Sequence, residues 1–244
     1  MIPDSRLVRA ILFDLDDTLF DHRASAGDAL RRVREAHECL RAVPFEEIEQ
    51  QHSRLLEDMH PKVVGGELGM DDARIERFRQ LLLRFGNTAA EAVCRAAAAM
   101  YRREYLEARR ATAGAEALLG ALRGRAAVAI VSNNMLQEQV EKLEFCRLSA
   151  YVDALIVSEE IGVSKPDPAI FRAALDAVGA EPAEAVMIGD SWTADVLGAQ
   201  AAGIRPIWFN PLDLPAPDRS LGVPELRSLD PSPQTLALIF GRAL

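Results

Sequence analysis

The chain has 244 residues, 49% of them apolar, and a formal net charge of −9. That length buries one or two cores, and the charge argues against nonspecific binding to nucleic acid polymers or anionic membranes, whose phosphates it repels. The charge is uneven: residues 22–110 hold 16 basic and 15 acidic side chains, and the remainder holds 12 and 22.

The first element is an apolar run, Ile11-Leu12-Phe13, which ends in Asp14, Asp16 and Asp17. It reads as a buried strand. Side chains two apart on a strand share a face, so Asp14 and Asp16 point together while Leu15 points into the core. Carboxylates at the end of a buried strand are costly without a counter-charge, and a hard cation is the usual remedy. One carboxylate of such a pair can attack while its neighbour handles a proton.

After Leu19 the pattern turns helical to about Arg110. Helices are expected near 25–41, 45–59, 71–86 and 88–109, separated by Pro44, a Pro61–Gly69 loop and Gly86-Asn87. The third and fourth carry apolar residues at helical spacing, Ile75, Phe78, Leu81, Leu82 and Phe85, then Val93, Ala97, Met100 and Tyr101.

From Ala113 onward helices and strands alternate. Helix 114–123 leads to strand 126–131, helix 135–145 to strand 154–157, helix 167–179 to strand 185–189, and helix 194–202 to strand 204–209. Such alternation predicts an α/β fold, a doubly wound parallel sheet with helices on both faces. The long helical stretch then becomes an inserted domain of residues 21–110, and residues 1–20 with 111–244 form the Rossmann-like core. Seven of the thirteen prolines fall within 206–233, which predicts a turn-rich tail before a last helix near 232–243.

Doubly wound sheets gather chemistry in loops at the carboxyl ends of their strands. Four loops fit that rule in order: Asp14-Leu15-Asp16-Asp17-Thr18, Ser132-Asn133-Asn134, Ser164-Lys165-Pro166, and Gly189-Asp190-Ser191-Trp192-Thr193-Ala194-Asp195. Lys165 has a compositional signal of its own, because the chain uses only three lysines (Lys62, Lys142, Lys165) among 28 basic residues. A compact ammonium suits a site shared with metal and phosphate better than a planar guanidinium.

These four loops, each after its own strand, resemble the motifs of the haloacid dehalogenase superfamily of phosphotransferases over nearly the whole chain. The resemblance implies a magnesium-dependent phosphatase working through an aspartyl-phosphate. By it, Asp14 is the nucleophile and Asp16 the acid and base. Ser132, the backbone N–H of Asn133 and Lys165 hold the phosphoryl oxygens, and Lys165 also steadies Asp14. Asp14, Asp190 and the backbone carbonyl of Asp16 bind Mg2+, supported by Asp195 and Thr18. The helical insert resembles the cap that lids the site and carries selectivity in one branch of the superfamily. Phe20, Asp21, His22, Arg23, His60, Lys62, Gly65 and Gly66 are the candidate contacts there.

Motif one and Ser158–Pro166 resemble members that hydrolyse pyrimidine 5′-nucleotides or acylneuraminate 9-phosphate, so the expected partner is a small phosphorylated metabolite. Dehalogenases of the superfamily lack the second aspartate, so Asp16 favours phosphate chemistry. A phosphomutase shares all four motifs and stays open, and a non-catalytic binding protein would show a damaged motif. The cap's only lysine, Lys62, lies midway through it and not early, against a Schiff-base phosphonate hydrolase.

Other patterns carry less. Gly65-Gly66-Glu67-Leu68-Gly69 lacks the Lys-Ser/Thr of a nucleotide loop. Gly189-Asp190-Ser191-Trp192-Thr193 lacks the second glycine of a serine-hydrolase elbow. His22, His37, His52 and His60 show no metal-binding spacing and read as mostly solvated. Trp192 reads as pocket lining or packing. Cys39, Cys94 and Cys146 read as reduced, mostly buried thiols of a cytoplasmic protein. The Met1–Arg6 start shows no secretion signal, and no segment reaches membrane-spanning length. Monomer and homodimer are equally compatible with the sequence.

Overall fold

The computed structural model describes residues 7–86 and 89–241. Residues 1–6, Asn87, the first residue of the helix expected at 88–109 and the end of the one expected at 232–243 lie outside the described residues. The chain divides into two compact units, Met1–Asp21 with Arg110–Leu244, and His22–Arg109.

In chain order the elements begin with β1 (Ala10–Phe13). The inserted unit holds α1 (His22–Ala36), α2 (Glu38–Arg41), α3 (Phe45–Val64), α4 (Met70–Gly86) and α5 (Glu91–Ala108). The first unit resumes with α6 (Ala115–Leu122), β2 (Ala127–Ser132), α7 (Leu136–Phe145), β3 (Ala154–Val157), α8 (Ser158–Ile161) and α9 (Pro168–Val178). It ends with β4 (Ala185–Gly189), a π-helical turn (Trp192–Leu197), α10 (Gly198–Ala201), β5 (Arg205–Phe209), β6 (Glu225–Leu226) and α11 (Pro233–Phe240).

The strands form one six-stranded sheet in the order β3-β2-β1-β4-β5-β6, and every pairing is parallel. Because helices cover both sides, the strands are apolar on both faces. Ala10, Leu12, Ala129, Val131, Ala185 and Met187 pack with Ile170, Phe171, Ala174 and Leu175 of α9. Ile11, Phe13, Val128, Ile130, Val186 and Ile188 are equally buried on the other face. Helix α9 is bounded by its own sequence: the Asp167 side chain accepts from the Ala169 N–H, Pro168 takes the first turn, and Gly179 closes it at φ 63°.

Chain order reverses between β1 and β4, so the topological switch point lies at the carboxyl ends of these two strands. Asp14 follows the first and Asp190 the second. At the edge of this unit Asp21 and Arg110 pair, the Asp21 N–H donating to the Arg110 carbonyl at 3.1 Å, and Phe20 bridges Ala111.

The inserted unit is helical throughout, with Leu30, Val33, Ile48, Leu55, Phe78, Leu81, Leu82, Cys94, Ala97 and Tyr101 buried. Three expectations change here. Helix α3 runs past residue 59 and through Pro61, because Val63 is buried and the Pro61 carbonyl still accepts the Gly65 N–H at 2.9 Å. The helix expected over 25–41 breaks at His37 into α1 and α2. His52 is buried, its ring 4.9 Å from Tyr101 and 5.6 Å from Phe78, so it is a core residue where a solvated one was expected. Burial holds its pKa well below the ordinary histidine value, with the neighbouring Arg77 guanidinium adding to the effect.

In the first unit the helix expected over 194–202 is a π turn followed by α10, and the proline-rich tail contributes the short strand β6. Cys39, Cys94 and Cys146 are all free thiols, but only Cys94 is fully buried. Among the described residues no helix is long and apolar enough to cross a membrane.

Candidate active site

The chain turns sharply after β1. The Leu15 carbonyl accepts from the N–H groups of Thr18, Leu19 and Phe20, and Asp17 takes a left-handed φ of 63°, a conformation aspartate tolerates. Asp14 is buried, and its N–H donates to the Ile188 carbonyl at 2.9 Å, extending the ladder to β4. That bond fixes Asp14 beside the start of the loop that carries Asp190.

The π turn after β4 supplies the next carboxylate. Ser191 caps it by accepting from the Ala194 N–H, and the Ser191 carbonyl receives the N–H groups of Asp195 and Val196. This wider turn brings Asp195 back over its own loop, where its Oδ2 accepts from the Ser191 N–H at 2.9 Å. A Cβ on Gly189 would overlap the Asp195 carboxylate, so only glycine fits there. Asp190 is steadied by β5, since the Trp208 indole N–H donates to the Asp190 carbonyl at 2.8 Å. Trp192 packs edge-on against Trp208 with ring centroids 5.2 Å apart.

Lys165 joins these loops. Its buried ammonium donates to Asp14 Oδ1 at 2.6 Å and to Asp195 Oδ1 at 2.7 Å. Asn133 holds Lys165 from the β2 side, its amide donating to the Lys165 carbonyl at 2.8 Å while its Oδ1 accepts the Lys165 N–H at 2.6 Å. The side chain of Asn133 is thus a loop clamp, a role separate from the backbone contact expected of it.

Oxygens of Asp14, Asp190 and Asp195 lie within 4.8 Å of one another. Burial pushes the Asp14 pKa up to about 7; Lys165 opposes the rise, and Asp195 and Asp16 reinforce it. Burial and then the charges of Asp14, Asp195 and Asp17 push Asp190 up to about 8. Burial works against the Lys165 ammonium, but Asp14 and Asp195 outweigh it and raise its pKa above the ordinary lysine value. Three carboxylates around one ammonium leave two negative charges in excess. An all-oxygen donor set with that excess fits a hard divalent cation.

Asp16 has partners of its own on the β2 side. Its carboxylate accepts from Lys142 Nζ at 2.6 and 2.8 Å, from the Gln139 amide at 2.9 Å and from the Asn134 amide at 3.2 Å. The Gln139 amide also donates to the buried Ser132 hydroxyl at 2.6 Å. Asn134 belongs to the second of the four loops, whereas Lys142, Gln139 and Trp208 lie outside all four. The rarity of lysine in this chain was a usable signal for Lys142. The buried Thr18 hydroxyl has no hydrogen-bond partner.

The remaining candidates are distributed between the units. Phe20 is wholly buried in the sheet unit. His22 opens α1 and its Nδ1 lies 3.0 Å from the Tyr105 hydroxyl. Arg23 and Lys62 are exposed, and His60 is half-buried on α3. Gly65 and Gly66 close the α3 terminus, Gly66 at φ 74°.

Residues 8–203 match the model of the haloacid dehalogenase-like hydrolase family. The chain belongs to that family. HAD-hydrolase YfnB of Bacillus subtilis is 29% identical over 224 residues, covering 91% of this chain and 92% of that one. Its crystal structure, bound to magnesium, superposes with a TM-score of 0.73 at 28% identity over 97% of this chain and 99% of that one. The ribulose-1,5-bisphosphate 5-phosphatase of Halopiger xanaduensis is 31% identical, covering 84% of this chain and 86% of its own. A 2-haloacid dehalogenase of Pseudomonas syringae is similar in structure, with a TM-score of 0.62 at 26% identity over 95% of this chain and 99% of that one.

Proposed function

We propose that this hydrolase cleaves phosphoric monoesters of a small metabolite, with magnesium bound, through a phosphoryl group carried on Asp14. The reading is supported above all by the division of the site's acids: Asp14 and Asp190 share an electron-rich cluster, while Asp16 is held on a separate cation. The two acids thus keep separate company, which leaves Asp14 beside Asp190 and Lys165 for attack and Asp16 beside Ser132 for proton transfer.

Asp14, Asp190 and the Asp16 backbone carbonyl would hold the ion, with Asp195 behind them. When bound, magnesium supplies positive charge to a phosphate dianion that the carboxylates would otherwise repel. Asp14 attacks phosphorus; the bond from phosphorus to the ester oxygen breaks, and Asp16 gives that oxygen a proton. Asp16, now ionised, takes a proton from water as the water oxygen attacks phosphorus. The bond between Asp14 and phosphorus breaks, and phosphate leaves. Ser132, the Asn133 backbone N–H and Lys165 steady the equatorial oxygens, which is the main task in phosphoryl transfer. The inserted helical unit, with His22, Arg23, His60 and Lys62 as candidates, is assigned the choice of substrate on family resemblance, together with Phe20 of the sheet unit.

The likeness to the Pseudomonas dehalogenase keeps haloacid cleavage as a second reading. Asp16 counts against it, because a departing halide needs no proton. The test is phosphate release from p-nitrophenyl phosphate with magnesium and with chelator, alongside halide release from a 2-haloacid. Magnesium-dependent phosphate release without halide supports the proposal, and halide release without phosphate overturns it.

A further inference from the structure

Helix α7 presents Gln139 and Lys142 one turn apart on the same face, and both are buried. Lys142 meets both oxygens of the Asp16 carboxylate, and Gln139 ties one of them to the Ser132 hydroxyl. The ammonium also sits 5.3 Å from the centre of the Phe20 ring, and Phe20 itself bridges Asp16. Asp16 sits past β1 in a tight turn, and Lys142 reaches it from a different element. Desolvating a lysine this fully is costly, and its hydrogen bonds to Asp16 offset that cost. Asp14 and Asp195 are served by Lys165 instead.

From this geometry we infer that Lys142 is a positioning residue for the leaving-group step: it sets the place of the Asp16 carboxylate relative to the Ser132 phosphate loop. Gln139 shares the work by coupling the two. The inference rests on the proposed phosphatase reading and adds a residue on α7 to it. Its effect on the first step, formation of the phosphoryl-enzyme read as kcat/KM, runs through Asp16 and must scale with how much the departing oxygen needs a proton. p-Nitrophenolate leaves readily without one, whereas an alkoxide does not.

The test measures kcat and KM of wild type, K142M, D16N and the double variant on p-nitrophenyl phosphate and on an alkyl phosphate. K142M is expected to lower kcat/KM on the alkyl ester by about 10²-fold, with less than about 5-fold loss of kcat/KM on the nitrophenyl ester. In the D16N background, K142M is expected to change kcat/KM by less than about 2-fold, since residues acting as one unit are not additive. The double variant also removes the unpaired charge, and K142Q, which keeps a donor for Asp16, replaces K142M if that variant does not fold. Equal losses of kcat/KM on both esters, or full additivity with D16N, overturn the assignment while leaving the phosphatase reading intact. Phosphate release by wild type from neither ester overturns both.

Discussion

The two buried lysines of the sheet unit face opposite electrostatic problems. Lys165 is shared between Asp14 and Asp195, with Asp190 close by, and cannot neutralise all three. Lys142 pairs with Asp16, and two amides also donate to that carboxylate. The first arrangement is short of positive charge, whereas the second gives one carboxylate an ammonium of its own. An unbalanced cluster invites a divalent ion and an anionic substrate. A direct ion pair keeps a carboxylate in a fixed place. One chain thus builds two acids of different character from the same residue type by changing only their company.

The largest break in this comparison comes from the nucleophile. Asp14→Asn is expected to lower phosphate release by on the order of 10³-fold or more, read as kcat on the best ester found. Next is Lys165→Met, which strips the crowded cluster of the ammonium that bridges Asp14 and Asp195. It is expected to cost about 10²–10³-fold in kcat. Leaving Asp14 and Asp195 buried and uncompensated is also expected to cost about 3–5 kcal/mol of stability by denaturant unfolding. A smaller stability loss than that of Lys142→Met would reverse the ranking of the two lysines.

A third test sharpens the charge argument. The Asp14 and Asp190 pKa values are raised to about 7 and about 8 from an ordinary 3.8. The folded metal-free protein therefore keeps protons that the unfolded chain has already lost. The stability this contributes is fully present below pH 3.8 and is lost as pH rises through about 7 and 8. With chelator, the melting temperature should fall across that upper window, and magnesium should raise it more at the alkaline end than at pH 6. A melting temperature flat across the window, with or without the ion, would contradict the charge excess.

The smallest effect concerns the helical unit, where His52 is a buried neutral ring. Its folded pKa lies below the ordinary 6.5, so its contribution is present above that value and is lost as pH falls beneath it. His52→Phe should flatten the acid limb of a melting-temperature profile between pH 6.5 and 5 and leave the alkaline limb unchanged.

Much of this was legible in the sequence because strands and chemistry coincide there. Asp14, Ser132 and Asp190 each stand at the end of an apolar run of strand length, so period and charge pointed to the same loops. What escaped notice lay on other periods. Gln139 and Lys142 sit on a helix whose polar residues look like a solvated face, and only the tertiary contact with Asp16 shows otherwise. Trp208 is one apolar residue among several in β5, and its indole N–H bond to Asp190 depends on the register of β4 and β5. The π turn at Trp192–Leu197 cannot be read from helical spacing, since it exists to bring Asp195 over Gly189. Pro61 looked like a helix terminator, but burial of Val63 carries α3 one turn further.

The central claim is that the phosphoryl group passes through Asp14. Wild type and Asp14→Asn would be mixed with p-nitrophenyl phosphate and magnesium, quenched in acid within one turnover and digested, and the peptides weighed by mass spectrometry. The account predicts one added phosphoryl group on the peptide containing Asp14 in the wild type and none in the variant. Phosphate release at full rate with that peptide unmodified, or with the phosphoryl group on another residue, would contradict it.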